Sequence, residues 1–233
     1  MEQKFTQAKP PIETPKFWEE AWKRSKEEFQ QGRKKRSLRE SVNFWNQRAE
    51  NFGKNVLGEN GKKRVSRVFN WLESQGVEID NMKVLDIGAG PGAFTLAFAE
   101  RAQEVVALEP ATAMTAFIKK QVAQKEIKNI RIIEETWEEV DLKKHNLEQH
   151  FDLVFASMSP GVNNRETLDK ALSCAKQYCF ISSFAGKRRN DALSELWQIM
   201  FGENVPDRTG NIIYIFNLLY ARGFDLSFKV WEE

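Results

Sequence analysis

Between positions 14 and 75 apolar residues recur three and four apart, the spacing that gives a helix one buried face. Thr14 suits an N-cap and Pro15 the first helical turn; Phe17, Trp18, Ala21, Trp22 and Phe29 then fall mostly on one side until Gly32. Residues 37–51 repeat the pattern through Val42, Trp45 and Ala49, and residues 61–74 through Val65, Val68, Phe69 and Leu72. Residues 1–13 carry Pro10, Pro11 and no periodic apolar positions, and read as a flexible arm. After Gly76 the pattern becomes short apolar runs separated by helix-length amphipathic segments, as alternating β and α units require. Strands are expected at 83–87, 104–108, 130–133, 152–156, 178–183 and 226–230. Helices are expected at 93–101, 113–123, 166–175, 192–201 and 212–222, with Gly223 positioned to end the last. Residues 142–150 read as a polar connection. The predicted fold is α/β: a doubly wound, mostly parallel sheet over residues 76–233, preceded by a helical segment at 14–75.

Composition narrows the setting. An apolar fraction of 41% and an aromatic fraction of 12% suit an ordinary globular chain of 233 residues with one main core. No run approaches the roughly 20 apolar residues of a membrane span, and the first residues lack the apolar stretch of a signal peptide, so a cytoplasmic location without membrane attachment is expected. Cys174 and Cys179 are too few for a disulfide framework and read as reduced thiols. The overall charge of +2 conceals an asymmetry, because residues 1–67 carry a net +8 and the remainder a net −6. A basic segment attracts phosphates or acidic partners, and a solvated helical face gives the same count.

The chemistry concentrates after the first strand, where Asp86-Ile87-Gly88-Ala89-Gly90-Pro91-Gly92 runs into the helix that begins at Ala93. Ligands of such sheets lie beyond the carboxyl ends of the strands, and glycines let the backbone turn and approach them. The glycine spacing with Ala93 also satisfies the dinucleotide fingerprint. Asp86 separates the two readings: a carboxylate at the strand end opposes a pyrophosphate and favours S-adenosylmethionine, which carries an ammonium and a sulfonium. Glu109, 21 positions after Gly88, suits ribose hydroxyls in either class.

Val84-Leu85-Asp86-Ile87-Gly88-Ala89-Gly90-Pro91-Gly92, Val105-Val106-Ala107-Leu108-Glu109-Pro110 and Phe151-Asp152-Leu153-Val154-Phe155-Ala156-Ser157 occur in the order found in the class I S-adenosylmethionine-dependent methyltransferases, which the chain resembles over residues 40–231. Phe44-Trp45-Asn46-Gln47-Arg48-Ala49 is similar to a segment that precedes the donor fold in small-molecule members. The resemblance implies a Rossmann-like methyltransferase fold with an N-terminal helical lid. It further implies that the glycine loop holds the methionine end of the donor, Glu109 the ribose, Pro110 one adenine face, and Thr136 and Trp137 the adenine edge, with Ser157 bordering the methyl group. Trp137 serves packing equally well. The chain departs from the family after its sixth predicted strand, where a seventh is not legible; an uncovered edge of that kind offers a surface for dimerisation.

Methyl transfer is a displacement at a sulfonium carbon and demands alignment more than a dedicated catalytic residue, so none is assigned. Ser157-Met158-Ser159-Pro160 stands where amine-methylating relatives carry an Asn/Asp-Pro-Pro-aromatic tetrad, which points to a small-molecule acceptor. Trp45, Arg48, Met158 and Ser159 are the candidate acceptor contacts. Lys187, Arg188 and Arg189 follow the fifth strand, where an acidic substrate would meet them, although such a run is also an ordinary solvated helix start. His145 and His150, five apart, do not share a helical face for a metal, and no metal site is expected. Two other readings stand beside the small-molecule enzyme. One is an RNA methyltransferase tracking phosphates through Arg33 to Arg36, Lys62, Lys63, Arg64 and Arg67. The other is a non-catalytic donor-binding subunit.

Overall fold

The computed structural model describes residues 14–30, 36–185, 195, 198–200 and 212–231. β-Branched and leucine-rich runs form the strands β1 (Lys83–Ile87), β2 (Glu104–Leu108), β3 (Ile130–Ile133), β4 (Phe151–Ser157) and β5 (Ala175–Ser182). β1 and β2 are buried at every position after their first residue, which is why, Asp86 apart, those positions are apolar instead of alternating with polar ones. The order is β3-β2-β1-β4-β5, and every pairing is parallel. The order reverses between β1 and β4, leaving a crevice at the carboxyl ends of those strands, the usual ligand position in open α/β sheets.

The chain divides into two compact units, residues 36–182 and residues 1–35 with 183–233. The first holds the sheet together with α2 (Leu38–Val56), α3 (Glu59–Ser74), α4 (Ala93–Ala99), α5 (Thr112–Lys125) and α6 (Arg165–Cys174). Aromatic side chains join one face of this sheet to its helices: Phe155 of β4 stacks on Phe180 of β5 at 4.6 Å and meets Phe98 of α4 at 5.0 Å, and Trp71 of α3 abuts Phe180. α2 begins with a reciprocal capping box. The Ser37 hydroxyl accepts from Glu40 N, and the Glu40 carboxylate accepts from Ser37 N. Ser37→Ala is expected to cost about 1 kcal/mol in urea unfolding; an unchanged midpoint would mean that α2 does not depend on this cap.

In the second unit α1 (Pro15–Gln30) packs against α7 (Ile212–Ala221). Thr14 caps α1 as expected, accepting from Phe17 N at 3.3 Å. α7 closes with Gly223 at φ +81 and Phe224 N donating to Leu219 O, the left-handed close expected at Gly223.

β1, β2 and β3 match the sequence expectation residue for residue, β4 gains one residue at each end, and β5 starts three residues early, directly where α6 stops. The sixth strand expected at 226–230 does not form. Residues 224–231 carry no regular structure and are mostly exposed, because an alternating segment becomes a strand only where a neighbouring edge takes up its backbone groups. Of the helix expected at 192–201, residues 195 and 198–200 are helical; its other positions, the arm at 1–13 and Lys187, Arg188 and Arg189 lie outside the described residues. Within 142–150, Leu147 is fully buried. Among the described residues no helix is long and apolar enough to cross a membrane.

Candidate functional site

β1 delivers Asp86 to the sheet's carboxyl end, and the chain turns through Gly88, Gly90 and Gly92, all at positive φ, before α4 begins. Gly88 is tied to β4 as well as to its own turn. A Cβ there, already strained at φ +75, would lie 2.5 Å from Ser159 Oγ, so only glycine lets the β4 turn close against the donor loop. Gly88 N and Ala89 N both donate to Leu108 O, stitching the loop to the end of β2.

Two buried carboxylates face this loop. Glu109 is 7% exposed; its Oε2 accepts from Gly90 N at 3.0 Å and its Oε1 from Ala111 N at 2.8 Å. Burial pushes its carboxyl above the usual range against the pull of those two N–H groups. Asp86, 2% exposed, accepts from Thr95 Oγ1 at 2.6 Å. Burial pushes it up to about 7, opposed by the Thr95 hydroxyl and reinforced by repulsion from Glu109. Thr95, one turn into α4, was not singled out in the sequence; a hydroxyl three residues past Gly92 on the sheet-facing side of α4 is the signal that identifies it.

This arrangement fits a cationic ligand. Desolvated carboxylates at the ends of adjacent strands are relieved by an ammonium or sulfonium and aggravated by a pyrophosphate. The Gly90 backbone is open on its outer side, with Phe52 of α2 3.8 Å from where a side chain would start. The glycine loop, Asp86 and Glu109 thus meet the demands of the methyl donor and not those of a dinucleotide.

The remaining predicted residues divide. Pro110 is half-buried and leads into α5, and Thr136 hydrogen-bonds Glu139 at 2.8 Å. Trp137 is 2% exposed, donates to Thr167 O at 3.0 Å and lies beneath the Lys170 ammonium, so its indole is a packing anchor of the turn after β3. Ser157 Oγ accepts from Arg64 Nη2 at 2.9 Å and is 3.1 Å from Ser182 Oγ. Met158 takes φ +56 and donates through its N–H to Ser182 O and Oγ. Ser159 Oγ accepts from Gly161 N. Trp45 is half-buried against the cluster of Ala49, Ala111 and Met114. Arg48 is exposed, its guanidinium 3.8 Å above the Phe44 ring, whose other close cation is Arg36 at 4.3 Å. Asn46, within the segment similar to small-molecule members, accepts from Ala113 N and ties α2 to the first turn of α5.

His145 pairs with Glu135 at 2.8 Å and His150 with Glu104 at 3.1 Å, at separate places. Among the described residues no group of three or more His, Cys, Asp or Glu side chains is placed to hold a metal. Cys174 and Cys179 are free thiols, Cys174 fully buried and held up to about 12 by that burial.

Sheet order, acidic glycine loop and carboxylate at the β2 end together suit a cationic adenosyl ligand. Residues 84–179 match the methyltransferase-domain family. Over that stretch, with its parallel sheet order, the chain is similar to S-adenosylmethionine-dependent methyltransferases. A probable ribosomal RNA small subunit methyltransferase A of Methanosphaera stadtmanae is 36% identical over 73 residues, which span 31% of this chain and 27% of that protein. The chain thus covers about a quarter of the length of that curated relative. The fold is similar to the crystal structure of magnesium protoporphyrin IX methyltransferase from Synechocystis PCC 6803 with bound S-adenosylhomocysteine, at TM-score 0.52 and 12% identity over 91% of this chain and 89% of that one.

Proposed function

We propose that the protein transfers the methyl group of S-adenosylmethionine to a small-molecule acceptor held under α2 and α3. The observation that carries this reading is that these helices bracket the carboxyl end of the sheet: Phe52 of α2 flanks Gly90, and Arg64 of α3 reaches Ser157 at the end of β4. A cleft roofed by helices belonging to the same compact unit suits a ligand that can be enclosed and dried.

In this reading Glu109 accepts the ribose hydroxyls, Asp86 and the loop backbone orient the methionine end, and Pro110 and Thr136 border the adenine. The buried Trp137 supports that side from behind. When bound, the donor supplies an electrophilic methyl carbon on a sulfonium. The protein's share is alignment: Ser157, Met158 and Ser159 form the wall opposite the loop, and Trp45 and Arg48 of α2 belong to the cover. No side chain is assigned as a general base, because displacement at a sulfonium carbon proceeds by positioning and exclusion of water.

Incubating the protein with methyl-labelled donor and a metabolite extract is expected to label a low-molecular-mass product; label confined to macromolecules would overturn this reading. A second reading, RNA methylation, draws on exposed Lys62, Lys63 and Arg67 along α3 and on the ribosomal RNA relative. It requires RNA affinity that falls steeply with salt, since each neutralised phosphate releases a counterion.

A further inference from the structure

Lys170 stands in the second turn of α6, three residues after Thr167 and so on the same face of the helix. Its ammonium donates to Val140 O at 2.6 Å, to Trp137 O at 2.8 Å and to Glu138 O at 3.4 Å. The same ammonium is 5.1 Å from the centre of the Trp137 ring, whose indole N–H donates to Thr167 O. One face of α6 thus gives the indole an acceptor and the turn after β3 a charged donor. Within that turn Thr136 O accepts from Glu139 N and Val140 N, and the carbonyls of residues 137, 138 and 140 converge on the lysine instead. Trp137 and Val140 are buried, where a carbonyl without a partner is costly and a bond from a charged donor is stronger than one from a neutral donor. Burial also pulls the lysine's pKa below its ordinary value.

The contact runs on to the turn after β4. A Cβ on Gly161 would lie 2.9 Å from Trp137 Cβ, and Gly161 N donates to Ser159 Oγ, the atom against which Gly88 closes. The turns after β1, β3 and β4 therefore abut, and Lys170 holds the one after β3. Building on the proposed function, in which Thr136 borders the adenine, we propose that Lys170 is a positioning residue for recognition of the donor's base, acting through the turn that carries Thr136. The glycine loop and Glu109 are fixed by other bonds, to Leu108 O and from Gly90 N and Ala111 N, so loosening the turn after β3 leaves the ribose and the methionine end their partners. An ammonium has three N–H bonds to give and meets three carbonyls, whereas a guanidinium keeps the charge but spreads its donors over a planar fork.

The test compares S-adenosylhomocysteine with S-inosylhomocysteine, in which the 6-amino group of the base is replaced by oxygen, in calorimetry. The wild-type protein is expected to prefer the adenosyl ligand by about tenfold, the worth of one hydrogen bond at the base edge. Lys170→Met removes the donors at nearly unchanged length and is expected to weaken the adenosyl ligand by about tenfold and the inosyl ligand by much less, so that the preference collapses. Lys170→Arg is expected to keep part of the preference, and it carries the test if thermal unfolding shows that Lys170→Met does not fold. Equal losses for the two ligands, loss for neither, or a wild-type protein without preference overturns the role of Lys170 and leaves donor binding intact. A wild-type protein that does not bind S-adenosylhomocysteine overturns the donor reading instead, and the role of Lys170 with it.

Discussion

Glu109→Ala is expected to weaken S-adenosylhomocysteine binding by about a hundredfold or more. The carboxylate accepts Gly90 N through one oxygen and Ala111 N through the other, so each oxygen keeps a lone pair to share with a ribose hydroxyl. Hydrogen bonds to a charged acceptor contribute about 1.5–3 kcal/mol each, and two of them give the hundredfold change. The substitution also strips two N–H groups of their partner in a buried turn, which loosens the loop proposed to contact the rest of the donor. Glu109→Gln retains one acceptor oxygen and should fall between the two. Calorimetry on the three proteins at one salt concentration measures the series; a loss below threefold in Glu109→Ala would remove Glu109 from the donor site.

Asp86 governs the second large effect, which appears in pH dependence. Its carboxyl titrates near 7 in the folded protein and near 3.9 in an unfolded chain. Between those values the folded protein holds a proton that the unfolded chain has released. The free protein therefore loses stability as pH rises from about 4 to 7, by as much as roughly 4 kcal/mol if Asp86 acted alone. Asp86→Asn abolishes this component, so it should unfold at higher temperature than the wild type at pH 8 and no higher at pH 4. Donor affinity runs the opposite way. A cationic ligand prefers the ionised carboxylate, so wild-type affinity for S-adenosylmethionine should climb through the neutral range, by at most tenfold per pH unit, and binding should release a proton. Thermal scans and calorimetry in buffers of different ionisation enthalpy follow both; a melting-temperature difference between the proteins that does not vary with pH would contradict the assignment.

The parallel core and its glycine loop were legible because their determinants are local. Short, mostly apolar segments at 83–87, 104–108 and 130–133, each bounded by turn or helix signals, point to strands, and the turn chemistry of residues 86–92 follows from the residues themselves. Position 226–230 shows the limit of such reasoning, since its alternating Leu-Ser-Phe-Lys-Val is equally compatible with a surface segment until a partner strand is known to flank it. The same distinction applies within the site. Asp86 and Glu109 announce themselves at strand ends, but the Arg64 and Ser157 pair is 93 positions apart in sequence and forms only when α3 folds over β4. In the sequence Arg64 is one of a run of basic residues and has nothing to mark it. Trp137 illustrates the reverse case: its place after β3 marks it as a ligand neighbour, whereas its hydrogen bond to Thr167 O makes it the post on which that turn is built.

The bond from Ala113 N to Asn46 Oδ1 joins two jobs at one place. Residues 109–113 begin with the carboxylate that the proposed function assigns to the ribose and end with the peptide that seats α2, and Ala111 and Met114 pack on Ala49 beside it. The proposed acceptor cover is thus hung from the same short stretch of chain that is proposed to hold the donor. Evolution can alter the exposed side of α2 to admit a new acceptor at little cost to the donor grip, provided that the register of α2 on α5 is kept. Divergence of acceptor choice should accordingly concentrate on positions such as Phe44 and Arg48, and spare Asn46 and Ala49.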